Sequence, residues 1–332
     1  MSIAQRVRRA KDVRPSPSSK DLPDNVPPAP HIFVPAKSES QRDVKSLFDF
    51  KGRPGYYNAA AKTALLRREK KAPQDDLLVD FSRSDVRIEL KSAGVSLASG
   101  LWTWQASVIG QPLVIQGPWS EVAWRREDAC DYLEIELPLS HGWKLKRQLL
   151  LARQDRFLFL ADALIGPIAS PVEIRYAHSL PLAADAVFDP QRETRDGCLV
   201  SSRRRASLVP LALAEWRSEF CHAELAASGG NLMLQQAALG HNLYAPLWLD
   251  LDPRRLHRPL TWRRLTVAEN LAVVPRDVAA AYRIQAGRQQ WIIYRSLTPP
   301  KNRSVLGYNT FAAFACLRLL AGAKTEEILE IE

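Results

Sequence analysis

Four cysteines in 332 residues are few, and no two lie close enough in sequence to form a metal knuckle or a CxxC redox pair. Cys130, Cys198, Cys221 and Cys316 sit mostly among apolar neighbours and read as small buried hydrophobes rather than reactive thiols. Such sparse use of cysteine points to a reducing compartment. No run approaches the roughly 18 apolar residues of a membrane helix, and even Phe157-Leu158-Phe159-Leu160-Ala161 is cut by Asp162. The basic opening, Met1 to Arg14, is followed by no apolar stretch of roughly seven or more, so neither a secretory signal nor a twin-arginine signal at Arg8-Arg9 is read. A cytoplasmic location without a membrane span is the expectation. Walker loops, dinucleotide fingerprints and serine-hydrolase elbows are missing, and no cofactor is expected.

What is present is alternation. Val86, Ile88 and Leu90 alternate with Arg87 and Glu89. Leu133, Ile135 and Leu137 alternate with Glu134 and Glu136. Trp143, Leu145, Arg147 and Leu149 alternate with Lys144, Lys146 and Gln148. A strand sends successive side chains to opposite faces, so this period of two implies one face buried and one wet. Strands of this kind follow one another at short spacing with turn signals between them, from about residue 77 to the end. The fold class read from the chain is therefore all-β: a large antiparallel β super-sandwich with at most one or two short helices.

Residues 1–45 read differently. Pro15, Pro17, Pro23, Pro27, Pro28, Pro30 and Pro35 break regular structure, and charged and small residues fill the gaps. Such a segment buries too little apolar area to offset chain entropy, so a disordered, basic, proline-rich arm is expected before a single sandwich domain over 46–332. Residues 58–71 are expected to form the one clear helix, with Asn58 as N-cap and Pro73 as its end. The short Arg153-Gln154-Asp155 link makes 143–164 a hairpin. Residues 311–320 carry alanine and leucine at nearly helical spacing and read as a helix or as a strand; the favoured reading is a closing hairpin in which they turn into 327–332, although Ile328 and Leu329 do not alternate.

The stretch from Trp143 through Arg147 and the Arg153-Gln154-Asp155 turn to Phe157-Leu158-Phe159-Leu160-Ala161-Asp162 resembles the β-sandwich half of heparinase II/III-type polysaccharide lyases. There a strand ends in a short polar turn and runs into a strand of aromatic and aliphatic residues closed by aspartate. Large sandwiches related to galactose mutarotase share the phrase. The resemblance implies a super-sandwich of two large antiparallel sheets and an acidic polysaccharide as substrate. Those lyases carry their main catalytic residues partly on a helical toroid before the sandwich. This chain has in its place a proline-rich segment and at most one helix, and no histidine–aspartate–histidine metal cluster is recognisable. The chain also resembles bacterial proteins restricted to a few lineages.

Trp102 and Trp104 lie two apart on one face of an expected strand, with Trp119, Trp124 and Trp143 following. Sugar rings stack on flat aromatic faces, so an exposed pair would make a glycan platform, whereas a buried pair would be core. His141 and Trp143 share strand parity, as do Tyr176 and His178. A histidine beside a tyrosine can act as base and acid next to a uronate carboxylate, which Arg147 or Arg175 would neutralise. Arg175 has opposite parity to His178 and should face away. His222 shares a face with Glu224, His241 precedes Asn242, and His31 and His257 are scattered singles. Zinc needs three or four convergent ligands and the spacing offers none, so no metal site is assigned; calcium held by loop groups stays open.

Arginine and lysine exceed acids by ten, a surplus that favours acidic partners. Arg203-Arg204-Arg205 and Arg254-Arg255, with Arg258, Arg263 and Arg264, form basic clusters, but no nucleic-acid module motif accompanies them. The leading expectation is a carbohydrate-related sandwich that binds or modifies an acidic glycan. If it is an enzyme, it is lyase-like. The alternative is a non-enzymatic structural or protein-interaction domain. A nucleic-acid reading ranks third and needs Arg203–Arg205 to share a surface with Arg254 and Arg255. Trp102, Trp104, His141, Trp143, Arg147, Tyr176 and His178 are the candidate ligand-contacting residues.

Overall fold

The computed structural model describes residues 55–69, 74–167, 170–320 and 324–332. The expected arm over 1–45 lies outside the described residues. Within them the fold is all-β, and the strands pair antiparallel. The helical content of the described residues is one short 3-10 turn, Ser140–Gly142.

Three sheets stack face to face. The outer sheet runs, in spatial order, Tyr56–Asn58, Thr63–Arg67, Asp76–Asp80, Val86–Ser92, Val95–Val108, Val172–Pro181, Asn231–Gly240, Ala223–Ser228. The central sheet runs Val187–Pro190, Gly197–Ser201, Arg203–Pro210, Asn242–Asp250, Phe157–Ile165, Lys144–Ala152, Cys130–Pro138, Ser120–Arg126. The third sheet runs Leu260–Leu265, Ala279–Ala286, Gln289–Ser296, Phe314–Leu319, Thr325–Ile331. A small four-stranded sheet containing Arg303–Val305 and Tyr308–Thr310 covers part of the third sheet's far face.

Two large cores result. Leu66, Val79, Ile88, Trp102 and Ile174 of the outer sheet pack on Leu133, Leu149, Leu158, Leu160 and Leu247 of the central sheet. On the other side of the central sheet, Tyr132, Leu150, Phe157, Phe159 and Trp248 pack on Trp262, Ile284, Trp291, Ile293 and Phe314 of the third. The central strands are therefore buried on both faces. This corrects the reading of one wet face for two of the alternating runs. Glu134 and Gln148, which the alternation places in water, are buried against the third sheet. It also explains the nearly continuous apolar run Phe157–Leu164, since both parities of that strand meet a neighbouring sheet.

The helix expected over 58–71 is overturned through residue 69, the last described there. Asn58 does act as a cap, its Oδ1 accepting the Ala61 N–H at 3.0 Å. The chain then reverses through Lys62, whose φ is 51°, into strand Thr63–Arg67, which pairs with Asp76–Asp80. A side-chain oxygen that bonds a backbone N–H three residues on serves a tight turn as well as a helix start. Here the pairing of Leu65 and Leu66 with Leu78 and Leu77 settles the outcome.

The hairpin over 143–164 is present, with Leu149 opposite Leu160 and Ala152 opposite Phe157. So is the closing hairpin. Its register shifts between Cys316 and Leu317, so that Cys316 faces Leu329 and Leu317 faces Glu327. Ile328 is thus the extra residue of a bulge, which is why it and Leu329 are both buried without alternating. No helix among the described residues is long and apolar enough to cross a membrane.

Leu149 and Phe157 belong to opposite cores of the same hairpin. Leu149→Ala should cost about 2–5 kcal/mol and Phe157→Ala about 3–5 kcal/mol. Denaturant midpoints of the two variants check this, and a near-neutral result for either would contradict burial on that face.

Candidate functional site

Four of the residues singled out from sequence converge inside the first core, on a fifth that served only as the end of an apolar run. Asp162, on strand Phe157–Ile165, is completely buried. The Arg147 guanidinium, from the neighbouring strand, donates to it twice, Nε to Oδ1 at 2.8 Å and Nη2 to Oδ2 at 2.9 Å. Across the sheet gap, the Tyr176 hydroxyl donates to Oδ2, and His178 Nδ1 lies 3.3 Å from the same oxygen. Arg147 Nη1 donates to the Trp102 carbonyl at 3.0 Å, and the guanidinium carbon sits 3.7 Å from the Trp102 ring centroid.

Electrostatics follow from the enclosure. Burial alone would raise the Asp162 carboxyl, but the Arg147 charge and the His178 hydrogen bond hold it below the usual carboxylate range. Burial lowers His178 and outweighs the pull of Asp162 in the other direction. Burial raises the Tyr176 hydroxyl, and the Asp162 charge adds to it. The group is a neutral histidine and a neutral tyrosine holding a bidentate ion pair. No surface of Trp102, Arg147, Tyr176 or His178 is open to a sugar ring, so the expected platform is not presented to solvent. These side chains lock the outer sheet to the central one.

The other candidates do not join them. Trp143 is buried, with its ring against Gly166. Trp104 is half-buried and packs on the same core. His141 is exposed at φ 59° in the turn Ser140–Gly142, so it shares no strand parity with Trp143. Arg175 is exposed and pairs with Glu173 at 2.7 Å, pointing away from His178 as its parity predicts. The condition for a nucleic-acid surface also fails at one of its members. Arg255 is buried, bound to Asp250 at 2.7 Å and Asp252 at 3.0 Å, while Arg254 pairs with Asp252 at 2.8 Å. Among the described residues no group of three or more histidine, cysteine or acidic side chains could hold a metal ion.

The open site lies elsewhere. A cleft of about 740 Å³ opens where one side of all three sheets meets the loop over 211–222. That loop supplies Glu215, Trp216, Glu219, Phe220 and His222. The third sheet and its loops supply Trp262, Arg263, Arg264, Arg276 and Tyr282, and the outer sheet supplies Gln236 and Ala238. Trp216 is 45% exposed and Phe220 85%, so both rings face solvent. Phe220 and His222 meet edge-on, with centroids 4.6 Å apart.

Arg264 and Arg276 both act on Tyr282, whose hydroxyl burial pushes up to about 12 against their opposing charge. Arg263, Arg264 and Arg276 are exposed, and among the described residues they make no salt bridge and no side-chain hydrogen bond. Buried arginines elsewhere are paired: Arg67 with Asp76, Arg147 with Asp162, Arg255 with Asp250, Arg295 with Glu134 and Arg303 with Glu269. Sequence reasoning noticed Arg263 and Arg264 only as part of a basic cluster and passed over Trp216, Phe220 and Arg276.

No family model matches the chain, and no curated protein matches it. Among solved structures it is similar to a heparinase III, with a TM-score of 0.47 and 7% identity over 73% of this chain and 42% of that one. It is similar also to the heparan sulfate lyase HepC of Pedobacter heparinus, with a TM-score of 0.45 and 11% identity over 74% of this chain and 42% of that one. A further heparinase III structure gives 0.45 and 10%, over 74% and 43%. The chain thus bears a weak resemblance to heparinase III-type folds, as residues 143–162 suggest, and it spans less than half the length of those chains.

The enclosed cluster generates two expectations. Arg147→Met leaves the Asp162 carboxylate buried without its partner and should cost about 3–5 kcal/mol, whereas Arg147→Met with Asp162→Leu should cost less than either change alone. Urea unfolding of the three variants decides it. For His178 the sign is set by its lowered folded-state value. Below the unfolded value of about 6.5 the unfolded chain binds a proton that the folded one refuses, so stability falls as pH drops from there towards the folded value. His178→Gln should flatten that part of the stability profile, and an unchanged slope between about pH 6.5 and pH 5 would contradict the assignment.

Proposed function

We propose that the protein binds an anionic glycan in the cleft beside residues 211–222. The observation that carries this reading is the set of three arginines, Arg263, Arg264 and Arg276, exposed in a cleft without ion-pair partners among the described residues, next to the solvent-facing rings of Trp216 and Phe220. Guanidinium groups take carboxylate and sulfate oxygens in charge-assisted, often bidentate hydrogen bonds. Flat rings offer the apolar C–H face of a sugar a partner that charge does not supply. A cleft of about 740 Å³ is within the range of small-ligand sites and has room for a few sugar units. The net charge of +10 adds long-range attraction for a polyanion.

The second reading, a structural or interaction domain without glycan chemistry, draws support from the complete enclosure of Trp102, Arg147, Tyr176 and His178. Titration separates the two. A heparin-like oligosaccharide should bind more tightly than a neutral one of equal length. Arg264→Gln with Arg276→Gln should weaken it on the order of tenfold or more, given the usual strength of hydrogen bonds to charged groups. The charge contribution should fade with salt, because the screening length is about 8–10 Å near physiological ionic strength. Trp216→Ala with Phe220→Ala should remove the part that salt leaves. Binding that ignores both double variants, or equal affinity for the neutral sugar, would leave the structural reading standing.

A further inference from the structure

The cleft whose three arginines lack ion-pair partners among the described residues also carries a carboxyl group, which an anion would have to approach. Glu215 lines the cleft and is half-buried. Burial raises its carboxyl, and the charge of Arg263, on strand Leu260–Leu265, opposes that rise. Two further carboxylates act on it: Glu219 from its own loop and Asp196 from the segment before strand Gly197–Ser201. His222, Arg264 and Arg276 complete the charged and basic lining, and Cys221, Tyr244 and Tyr282 are its other titratable groups.

An ionised Glu215 would repel a docking anion, and more strongly once the ligand has displaced water and lowered the local dielectric. A protonated Glu215 relieves that repulsion. It also turns an acceptor into a donor, able to give its O–H to a carboxylate or sulfate oxygen. Docking of the anion and protonation of this one group therefore favour each other, and the coupling is reciprocal.

We propose that Glu215 makes anion capture at this cleft proton-linked: one proton passes from solvent to its carboxyl as the anion docks, so the site is strongest in acid and releases its ligand as pH rises. The inference rests on the anionic-glycan reading of the cleft. Burial already raises Glu215 against the charge of Arg263, with Asp196 and Glu219 adding to the rise. A bound anion raises it further. Affinity is then greatest below the titration point of the free protein. It falls by up to about tenfold per pH unit between the free and the liganded titration points, and levels off above the latter.

The test uses the full chain and a heparin-like hexasaccharide, by calorimetry from about pH 5 to pH 8 in buffers of different ionisation heat. The wild type should take up as much as one proton per ligand and lose affinity with rising pH. Glu215→Gln keeps the size and polarity of the side chain but cannot ionise. It should abolish the uptake, flatten the profile and bind more tightly than the wild type at the alkaline end. His222 would also bind anions better in acid, so His222→Gln is the control, and uptake should survive it. Tight wild-type binding without proton uptake, or uptake that survives Glu215→Gln and vanishes in His222→Gln, overturns the proton linkage while leaving the anion site intact. A wild type that binds the hexasaccharide at no pH overturns the anion-site reading and this inference with it.

Discussion

A sheet buried on both faces has no wet side on which to put a polar residue. That constraint governs the central sheet, and most of the remaining structure answers to it. Every charged side chain that the central strands carry inward must find its partner inside the protein. Asp162 finds Arg147 beside it and Tyr176 and His178 across the gap. On the opposite face Glu134 takes two hydrogen bonds from Arg295 of the third sheet, at 2.7 and 3.0 Å, and a third from Tyr132 at 2.6 Å. Burial would raise Glu134, yet the Arg295 charge keeps its carboxyl below the ordinary value. Across the first core the ties are the hydrogen bonds of Arg147 to the Trp102 carbonyl and of Tyr176 to Asp162; across the second the tie is the bidentate contact of Arg295 with Glu134. Aliphatic packing tolerates sliding by a residue or two; such directed contacts do not, and they fix the central sheet against both neighbours.

The period of two was enough to identify strands, because it reports backbone geometry. It could not report how many sheets lie on each side. Leu133-Glu134-Ile135-Glu136-Leu137 is what an amphipathic strand would show, yet Glu134 is as buried as its leucine neighbours while Glu136 is not. The difference is whether Arg295 stands opposite, and Arg295 comes from a strand 161 residues away. The closing hairpin was legible for the same local reason that strands were, and its broken alternation was the mark of a bulge. The false helix near Asn58 shows the converse. Alanines and leucines after a capping residue suit a helix, but Leu65 and Leu66 gain more from pairing with Leu78 and Leu77 beside the first core.

The cleft was less legible than the fold because its defining property is not a residue pattern. Arg263 and Arg264 look in sequence like Arg254 and Arg255, one more pair of adjacent arginines. The structure separates them by what stands nearby. Arg254 and Arg255 meet Asp250 and Asp252, whereas Arg263 and Arg264 line an open cleft that also holds Trp216 and Phe220. Trp216 differs from Trp102 in the same way: one is the exposed ring of an irregular loop, the other is sealed under a guanidinium. A sequence signal did exist. Trp216, Phe220 and His222 cluster within seven residues that carry no alternation, and a loop that keeps bulky rings without a strand's geometry to bury them is where exposed aromatics are to be sought.

The residues singled out from sequence still bear on the cleft, from behind. Tyr176 is the direct cross-strand partner of Gln236, and Gln236 is part of the cleft wall. The hydroxyl of Tyr176 is anchored to Asp162, so the strand that presents Gln236 and Ala238 is held in register by the enclosed ion pair. Asn242 and Tyr244, which also line the cleft, belong to the strand paired with the one bearing Asp162, where Tyr244 lies opposite Ala163. Tyr244 in turn donates to Gln148 at 2.9 Å, and Gln148 donates to Tyr132 at 2.7 Å, within the Glu134 network. Both buried networks therefore end on the walls of this cleft. A cleft lined by loops is only as well placed as the strands beneath it, and here those strands are pinned by charges that no solvent reaches. The arginines used up in the cores are what make the shape; the arginines left over in the cleft are what it presents.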